Sequence, residues 1–182
     1  MKYNSYQNRK SPRLKSWDYS KPHWYFVTIY THNHINHFGE IKNEKPVLNK
    51  LGLHTEDCVK NISSHYKNVE IDYHIVMPNH IHVIIIINPD ALGTCHGMSL
   101  QNDNVREFGK PTKGSLSMII NHFKGAVTKW ANLNGHKNFK WQRSFYDRII
   151  RNEKELYQIR KYIEQNPLAW DLEKNISENL EL

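Results

Sequence analysis

Residues 81–87, IHVIIII, form the longest apolar run in the chain, and His82 is its one polar interruption. A run of this length is far too short to span a bilayer. It reads as a strand that is apolar on both faces, which belongs at the centre of a sheet with cover above and below. Any fold for the chain has to bury this strand on both sides. At 182 residues the chain suits a single domain. Its 38% hydrophobic and 12% aromatic content supply a core and exclude a disordered chain.

The remaining pattern arranges itself around that strand. Residues 1–20 carry Arg9, Lys10, Arg13 and Lys15 among polar residues and read as a basic arm. Residues 23–30, HWYFVTIY, are rich in β-branched and aromatic side chains and predict a strand. Residues 31–40 read as a polar turn that Gly39 helps to reverse, and Ile41, Val47 and Leu48 suggest a short hairpin arm. A helix is expected over 55–66, with Thr55 as its N-cap and Cys58, Val59 and Ile62 as its apolar stripe. Residues 69–76 predict another strand, joined to 81–87 by a Met77-Pro78-Asn79 corner. Residues 88–113, with Pro89, Gly93, Gly97, Gly109 and Pro111, read as a long mobile loop. Leu116, Ile119, Ile120, Phe123, Val127 and Trp130 then fall at helical spacing over 115–132. Residues 139–150 read as partly extended. A last helix is expected from Glu153 to Gln165, opened by Asn152 with Glu155 in the capping-box position and closed before Pro167. Asp171, Glu173, Glu178 and Glu181 make an acidic tail of 171–182, leaving a single domain over 21–170. This order predicts an α+β fold with helices packed on one antiparallel sheet, in a ferredoxin-like arrangement.

Charge and cysteine content narrow the setting. There are 25 Lys and Arg against 18 Asp and Glu, a formal net charge of +7. A basic body points first to a polyanion such as nucleic acid, although a well-solvated surface accounts for the charge equally well. Cys58 and Cys95 are the two cysteines, too few for a disulfide framework or a cysteine-rich zinc site. The first twenty residues lack the apolar segment of a signal peptide, and no run spans a membrane, so a cytoplasmic protein is expected.

Three groups of residues are equipped for chemistry. His80 and His82 head the apolar strand, and strand alternation puts both imidazoles on one face. Two neutral imidazoles on a rigid strand suit a divalent metal, yet two histidines can equally be ordinary hydrogen-bonded residues of the interior. His32-Asn33-His34 repeats the spacing inside a polar turn, where metal geometry is poorly held, and reads as surface histidines or phosphate contacts. On the last helix, Tyr162 and Asn166 share one face at the edge of the stripe made by Leu156, Ile159 and Ile163. A tyrosine beside a metal can attack a phosphodiester, and an asparagine amide oxygen can complete the metal site. A tyrosine flanking a stripe is as readily a packing residue, and spacing does not choose among ten tyrosines. Finally, Lys124, Lys129, Lys140, Arg143, Arg148, Arg151, Arg160 and Lys161 alternate with Phe123, Trp130, Trp141, Phe145 and Tyr146. Single-strand binders combine cations and stacking rings in this way, as do solvated surfaces over aromatic cores.

Taken together, these stretches resemble a known family. YHIVMPNHIH at 73–82 is similar to the MPNHxH signature of the REP-associated tyrosine transposases, which are single-tyrosine HUH transposases. Further landmarks follow in family order over about residues 9–170: Arg13-Leu14, Trp17-Asp18-Tyr19, Tyr25-Phe26-Val27-Thr28, Gly114-Ser115-Leu116, Phe123-Lys124, WQRSFYD at 141–147 and YIEQNP at 162–167. The resemblance implies a ferredoxin-like HUH endonuclease fold. It implies Tyr162 as nucleophile, and His80, His82 and Asn166 as ligands of magnesium or manganese. It further implies nicking of single-stranded DNA at hairpin-forming repeats through a 5′-phosphotyrosine link that leaves a free 3′-OH, and strand transfer in DNA transposition. Arg9, Lys10, Arg13, Lys15, Lys124 and Arg143 are then the expected hairpin contacts. Relatives act either as monomers or as homodimers, so a homodimer is open. The alternative is a non-catalytic reader of DNA hairpins on the same fold.

Overall fold

The structure, a computed structural model, describes residues 17–89 and 114–180. The basic arm up to residue 16 and most of the loop expected at 88–113 lie outside the described residues. The arm stops short of residue 20: Trp17 and Tyr19 pack against the main core, and the Trp17 indole donates to the Tyr25 hydroxyl at 3.3 Å.

Strand β1 (His23–Tyr30) is followed by a hairpin of β2 (Gly39–Lys42) and β3 (Lys45–Leu48). Helices α1 (Lys50–Lys60) and α2 (Ile62–His65), strands β4 (Val69–Val76) and β5 (His80–Ile87), helix α3 (Leu116–Leu133), strand β6 (Tyr146–Ile150) and helix α4 (Glu153–Leu180) complete the order. The main sheet runs β4-β5-β1-β6 with every pairing antiparallel. With the hairpin set aside, this is a β-α-β-β-α-β order with the ferredoxin-like strand arrangement. The expected α+β class, hairpin arm and central strand are therefore present. No helix among the described residues is long and apolar enough to cross a membrane.

Alternation along β5 builds two cores. Ile81, Val83, Ile85 and Ile87 face α1, α2 and α3, in the same cluster as Leu51, Val59, Ile62, Ile119, Ile120, Phe123 and Val127. Ile84 faces α4, where it packs with Leu156, Ile159, Ile163 and Ile150. His80 and His82 share this second face.

Three local expectations are corrected. The first long helix starts earlier than its apolar stripe suggests, because Asn49 and not Thr55 is the cap: its side chain accepts from the Gly52 amide at 2.9 Å. Thr55 lies a turn inside, buried, with its hydroxyl donating to the Leu51 carbonyl. Gly52 lets this helix begin against the preceding segment, since a Cβ there would stand 2.1 Å from the Phe38 carbonyl oxygen. The helix also ends at Asn61 and resumes as α2, so residues 55–66 are not one helix.

The third correction concerns Pro167, which does not close α4. The helix runs through it to Leu180, so the acidic residues of 171–180 continue the helix. Proline removes one backbone hydrogen bond at a cost of about 3 kcal/mol in a helix interior. Here Ile163 and Pro167 are buried and Asn166 and Trp170 half-buried, at the i, i+3, i+4, i+7 spacing of one continuous inward face. Packing of that face on the sheet outweighs the lost bond. The helix start is as expected: the Asn152 side chain accepts from the Glu155 amide, and Glu155 accepts from the Arg151 amide.

Two ion pairs fix α4 across the sheet. Glu155 pairs with Arg148 of β6 at 2.6 Å. Further along, Arg160 grips Asp72 through both carboxylate oxygens. Asp72 stands where the β4–β5 register slips between Ile71 and Tyr73, a bulge that turns its side chain to the helix. Ile163, fully buried next to Tyr162, is the keystone of the apolar contact. Ile163→Ala should lower the unfolding free energy by about 2–5 kcal/mol, whereas Tyr157→Ala on the exposed side of α4 should change it by about 0.5 kcal/mol or less. Denaturant titration of the two variants checks this.

Candidate active site

His80 and His82 are 5% and 2% exposed, buried between β5 and α4. Their Nε2 atoms stand 3.1 Å apart. Two imidazole nitrogens held about 2.1 Å from one ion at about 90° are separated by about 3.0 Å, so this spacing fits a shared cation.

Neighbouring polar groups set the protons. Asn79 Nδ2 donates to the His34 carbonyl at 3.0 Å, which turns its amide oxygen toward His80 Nδ1 at 2.7 Å. An amide oxygen only accepts, so His80 carries its proton on Nδ1 and keeps a lone pair on Nε2. His82 Nδ1 lies 2.9 Å from the Thr28 hydroxyl. When that hydroxyl accepts, Nε2 of His82 is bare as well, and the two lone pairs converge. When it donates, His82 donates from Nε2 to His80, and the pair is satisfied without a cation. A change of His82 tautomer, together with a turn of the Thr28 hydroxyl, thus separates a closed pair from a ligating one.

Burial keeps both rings neutral. Desolvation pulls the pKa of His80 down to about 4, only partly opposed by a side-chain hydrogen bond with Asn166. His82 falls to about 3 through desolvation and the neighbouring His80 charge. Among the described residues no cluster holds three or more His, Cys, Asp or Glu. Two side-chain amides reach His80: Asn79 at Nδ1, and Asn166 from α4.

Tyr162 is 51% exposed. Its ring centroid lies 5.3 Å from that of His82 and 6.0 Å from Phe26, edge-on to the latter. Trp170, two turns on, covers His80 at 5.8 Å. Tyr30 lies beside His80 at 5.0 Å, and burial raises its pKa, with smaller contributions from Tyr162 and Tyr146. The structure thus brings Tyr162, His80, His82 and Asn166 to one place.

Other expected residues fall elsewhere. Arg9, Lys10, Arg13 and Lys15 lie outside the described residues. Lys124 is on α3, across the sheet from the histidine pair. Its ammonium donates to the carbonyls of Gln142 at 2.7 Å and Arg143 at 3.3 Å, and burial lowers its pKa to about 8. Arg143 is exposed. His32 and His34 do sit in a short turn, as their polar neighbours suggest. His34 nevertheless lies tilted against Tyr30 at 4.4 Å and lowers the pKa of His80, which makes it a rim residue of the site. Thr28, Tyr30, Asn79 and Trp170 were not singled out by spacing. Asn79 lies within the MPNHIH stretch and Thr28 within the YFVT stretch, but the pairing of Thr28 with His82, 54 positions away, had no local signal.

No protein-family model matches the chain. A Haemophilus influenzae protein of uncharacterised function is 39% identical over 171 residues, which cover 93% of this chain and 94% of that one. Among solved structures, the REP-associated tyrosine transposase bound to a REP hairpin matches with a TM-score of 0.54 and 18% identity, over 86% of this chain and 73% of that chain. This chain has that protein's fold. A Deinococcus radiodurans protein described as a candidate transposase matches at a TM-score of 0.47 and 16% identity, over 84% and 98% of the two chains.

The buried neutral pair has a consequence for stability. Below pH 6.5 an unfolded chain protonates these imidazoles, while the folded chain resists until about pH 4 and 3. The unfolded state then binds more protons, so stability is complete above pH 6.5 and falls as pH drops through this window. Metal-free protein should lose on the order of 1–2 kcal/mol per histidine between pH 7 and pH 5. Denaturant midpoints across that range test this, and the His80→Gln/His82→Gln double variant should flatten the dependence.

Proposed function

We propose that this chain, which belongs to one family with the Haemophilus influenzae protein and shares its fold with the REP-associated tyrosine transposase, is a metal-dependent single-strand DNA nickase and transferase. The observation that carries the reading is the convergence of a half-exposed tyrosine, two neutral imidazole nitrogens and an asparagine amide within one layer, between β5 and α4. Phosphoryl transfer to a tyrosine needs a nucleophile near a phosphate, a means of neutralising that phosphate, and a neutral ligand set that does not compete for protons.

His80, His82 and Asn166 would hold magnesium or manganese. When bound, the ion supplies charge neutralisation at the phosphate and lowers the barrier to attack. The chain's own residues do the rest. Asn79 and Thr28 hold the imidazoles in their ligating orientation. Phe26 and His82 flank the Tyr162 ring and restrict its approach. The Tyr162 oxygen forms a bond to phosphorus as the 3′-oxygen of the neighbouring nucleotide leaves. This yields a 5′-phosphotyrosine and a free 3′-OH with no net loss of phosphodiester bonds. A later 3′-OH attacks the same phosphorus and returns the phenol. ATP is not required, because the covalent link conserves the bond energy.

The substrate follows from the chemistry and from the resemblance: single-stranded DNA flanking a hairpin, held at the hairpin by the basic residues of 9–15 and by Arg143. Binding should weaken steeply with salt as phosphate contacts release counterions, and deletion of residues 1–16 should lower both affinity and salt slope. Salt titration of hairpin binding by the two forms measures both.

The decisive experiment is covalent trapping on a hairpin with a single-stranded flank taken from repeats beside the gene. Tyr162→Phe should lower adduct formation by about 10³-fold or more while leaving fold and hairpin binding intact. His80→Ala, His82→Ala and chelation with EDTA should do the same, and Tyr157→Phe should be active. An adduct that persists in Tyr162→Phe would mean another nucleophile. Hairpin binding without any adduct in the wild-type protein would favour a non-catalytic hairpin reader.

A further inference from the structure

Helix α4 covers only part of the sheet face on which the histidine pair lies. Ile75, His82, Thr28 and Tyr146 form one row across β4, β5, β1 and β6. Tyr162 lies against His82 and Phe26, and Trp170 against His80, so the β4–β5 side of the row is roofed. The β6 end of the row is open at Tyr146, which is 51% exposed, whereas further along β6 Arg148 reaches Glu155 of α4 and Ile150 is buried under the helix. A line of rings joins the two sides. His80 lies 5.0 Å from Tyr30, and Tyr30 meets Tyr146 edge-on at 6.1 Å and 89°.

The charge around this open floor is mainly cationic, with Glu155 of α4 set against Arg148. Lys140, Arg143 and Arg148 are exposed along the segment that enters and forms β6. Its one carboxylate, Asp147, pairs with Val27 and so points to the opposite face. A strand two positions from β5 lies about 10 Å away, since neighbouring strands are about 4.8 Å apart. One nucleotide reaching sideways from its phosphate to its base spans a gap of that order. An exposed ring in a cationic setting is what single-strand binders offer to a base.

From this geometry we infer that Tyr146 is a nucleobase subsite: its ring stacks the base of a nucleotide adjoining the phosphate that is held at the histidine pair. Tyr30 backs the ring and fixes its tilt. The inference rests on the proposed single-strand DNA reaction and assigns the path of the strand, out over β1 and β6 and away from α4. The contact is made by the ring and not by the hydroxyl. It recognises any base, with preference set by stacking strength.

The test uses full-length protein and the same hairpin DNA, with 2-aminopurine placed in turn at each nucleotide flanking the cleavage position. Wild-type protein in EDTA should quench the probe at one of these positions on binding. Tyr146→Ala should abolish that quenching and raise the KM for adduct formation about 5- to 150-fold, the range expected of one stacked base, with kcat nearly unchanged. Tyr146→Phe and Tyr146→Trp retain a ring and should restore both signals. An abasic site at the quenched position should raise the wild-type KM by a similar factor and add nothing in Tyr146→Ala. Quenching and KM that ignore Tyr146→Ala, or abasic losses that add to it in full, overturn the subsite. Quenching that depends on Tyr146 in a protein that never forms an adduct leaves the subsite standing and overturns the nickase.

Discussion

Burial of β5 on both faces is the constraint on which the rest of the molecule depends. A strand alternates its side chains, so a strand without a solvent face must have a helical layer on each side. One layer is α1, α2 and α3 over Ile81, Val83, Ile85 and Ile87. The other is α4 over Ile84 and the two histidines. The imidazoles are thereby placed in a dry layer by the same alternation that builds the main core. A register slip of one residue would exchange them with Ile81 and Val83 and put both rings among the wrong helices. The site is therefore as precisely located as the sheet itself.

The second layer depends on how α4 is rotated. Helical spacing puts Arg160 on one flank of the stripe of Leu156, Ile159 and Ile163, and Tyr162 on the other. The Arg160–Asp72 pair ties the first flank to the edge strand β4, and this turns the second flank toward Phe26 and His82. The Glu155–Arg148 pair ties the helix start to the opposite edge, β6. Exposed ion pairs add little stability on their own. Placed at opposite edges of the sheet, they set orientation, and burial of Ile159 and Ile163 supplies the energy. Continuation through Pro167 then extends the roof to Trp170 over His80.

Much of this was legible in the sequence, for identifiable reasons. The apolar run around His82, the aromatic run of β1 and the periodic stripe of α3 each carry a period that follows from burial. Together they gave the element order and the ferredoxin-like sheet. His80 and His82 were legible because strand alternation is rigid over two residues. The helix ends were less so. Cysteine and β-branched residues in the stripe drew attention to Thr55, while the cap itself, Asn49, precedes the stripe by more than a turn. Pro167 reads as a stop by local rules, and only the sheet beneath it, unseen from the sequence, makes the helix worth continuing. Thr28 and Tyr146 lie in stretches the resemblance marks, but the contact of Thr28 with His82 and the open floor at Tyr146 depend on which strands are neighbours, and pairing across 54 residues leaves no local trace.

A buried pair of histidines is often a liability, and here the arrangement of protons removes it at neutral pH. Desolvation penalises the charged imidazolium far more than the neutral ring, so a pair that stays neutral down to about pH 4 sits in the layer without a standing electrostatic penalty. The same depression strips protons from the nitrogens that a cation would need. Thr28 and Asn79 satisfy the outer nitrogens in either case, and this leaves the inner nitrogens free to choose between each other and an ion. The ligating arrangement would differ from the closed pair by the His82 tautomer, the turn of the Thr28 hydroxyl and the loss of one imidazole–imidazole hydrogen bond. Rigid ligands of that kind bind with little reorganisation, which is what a site built on a strand offers and a site on the His32–His34 turn does not.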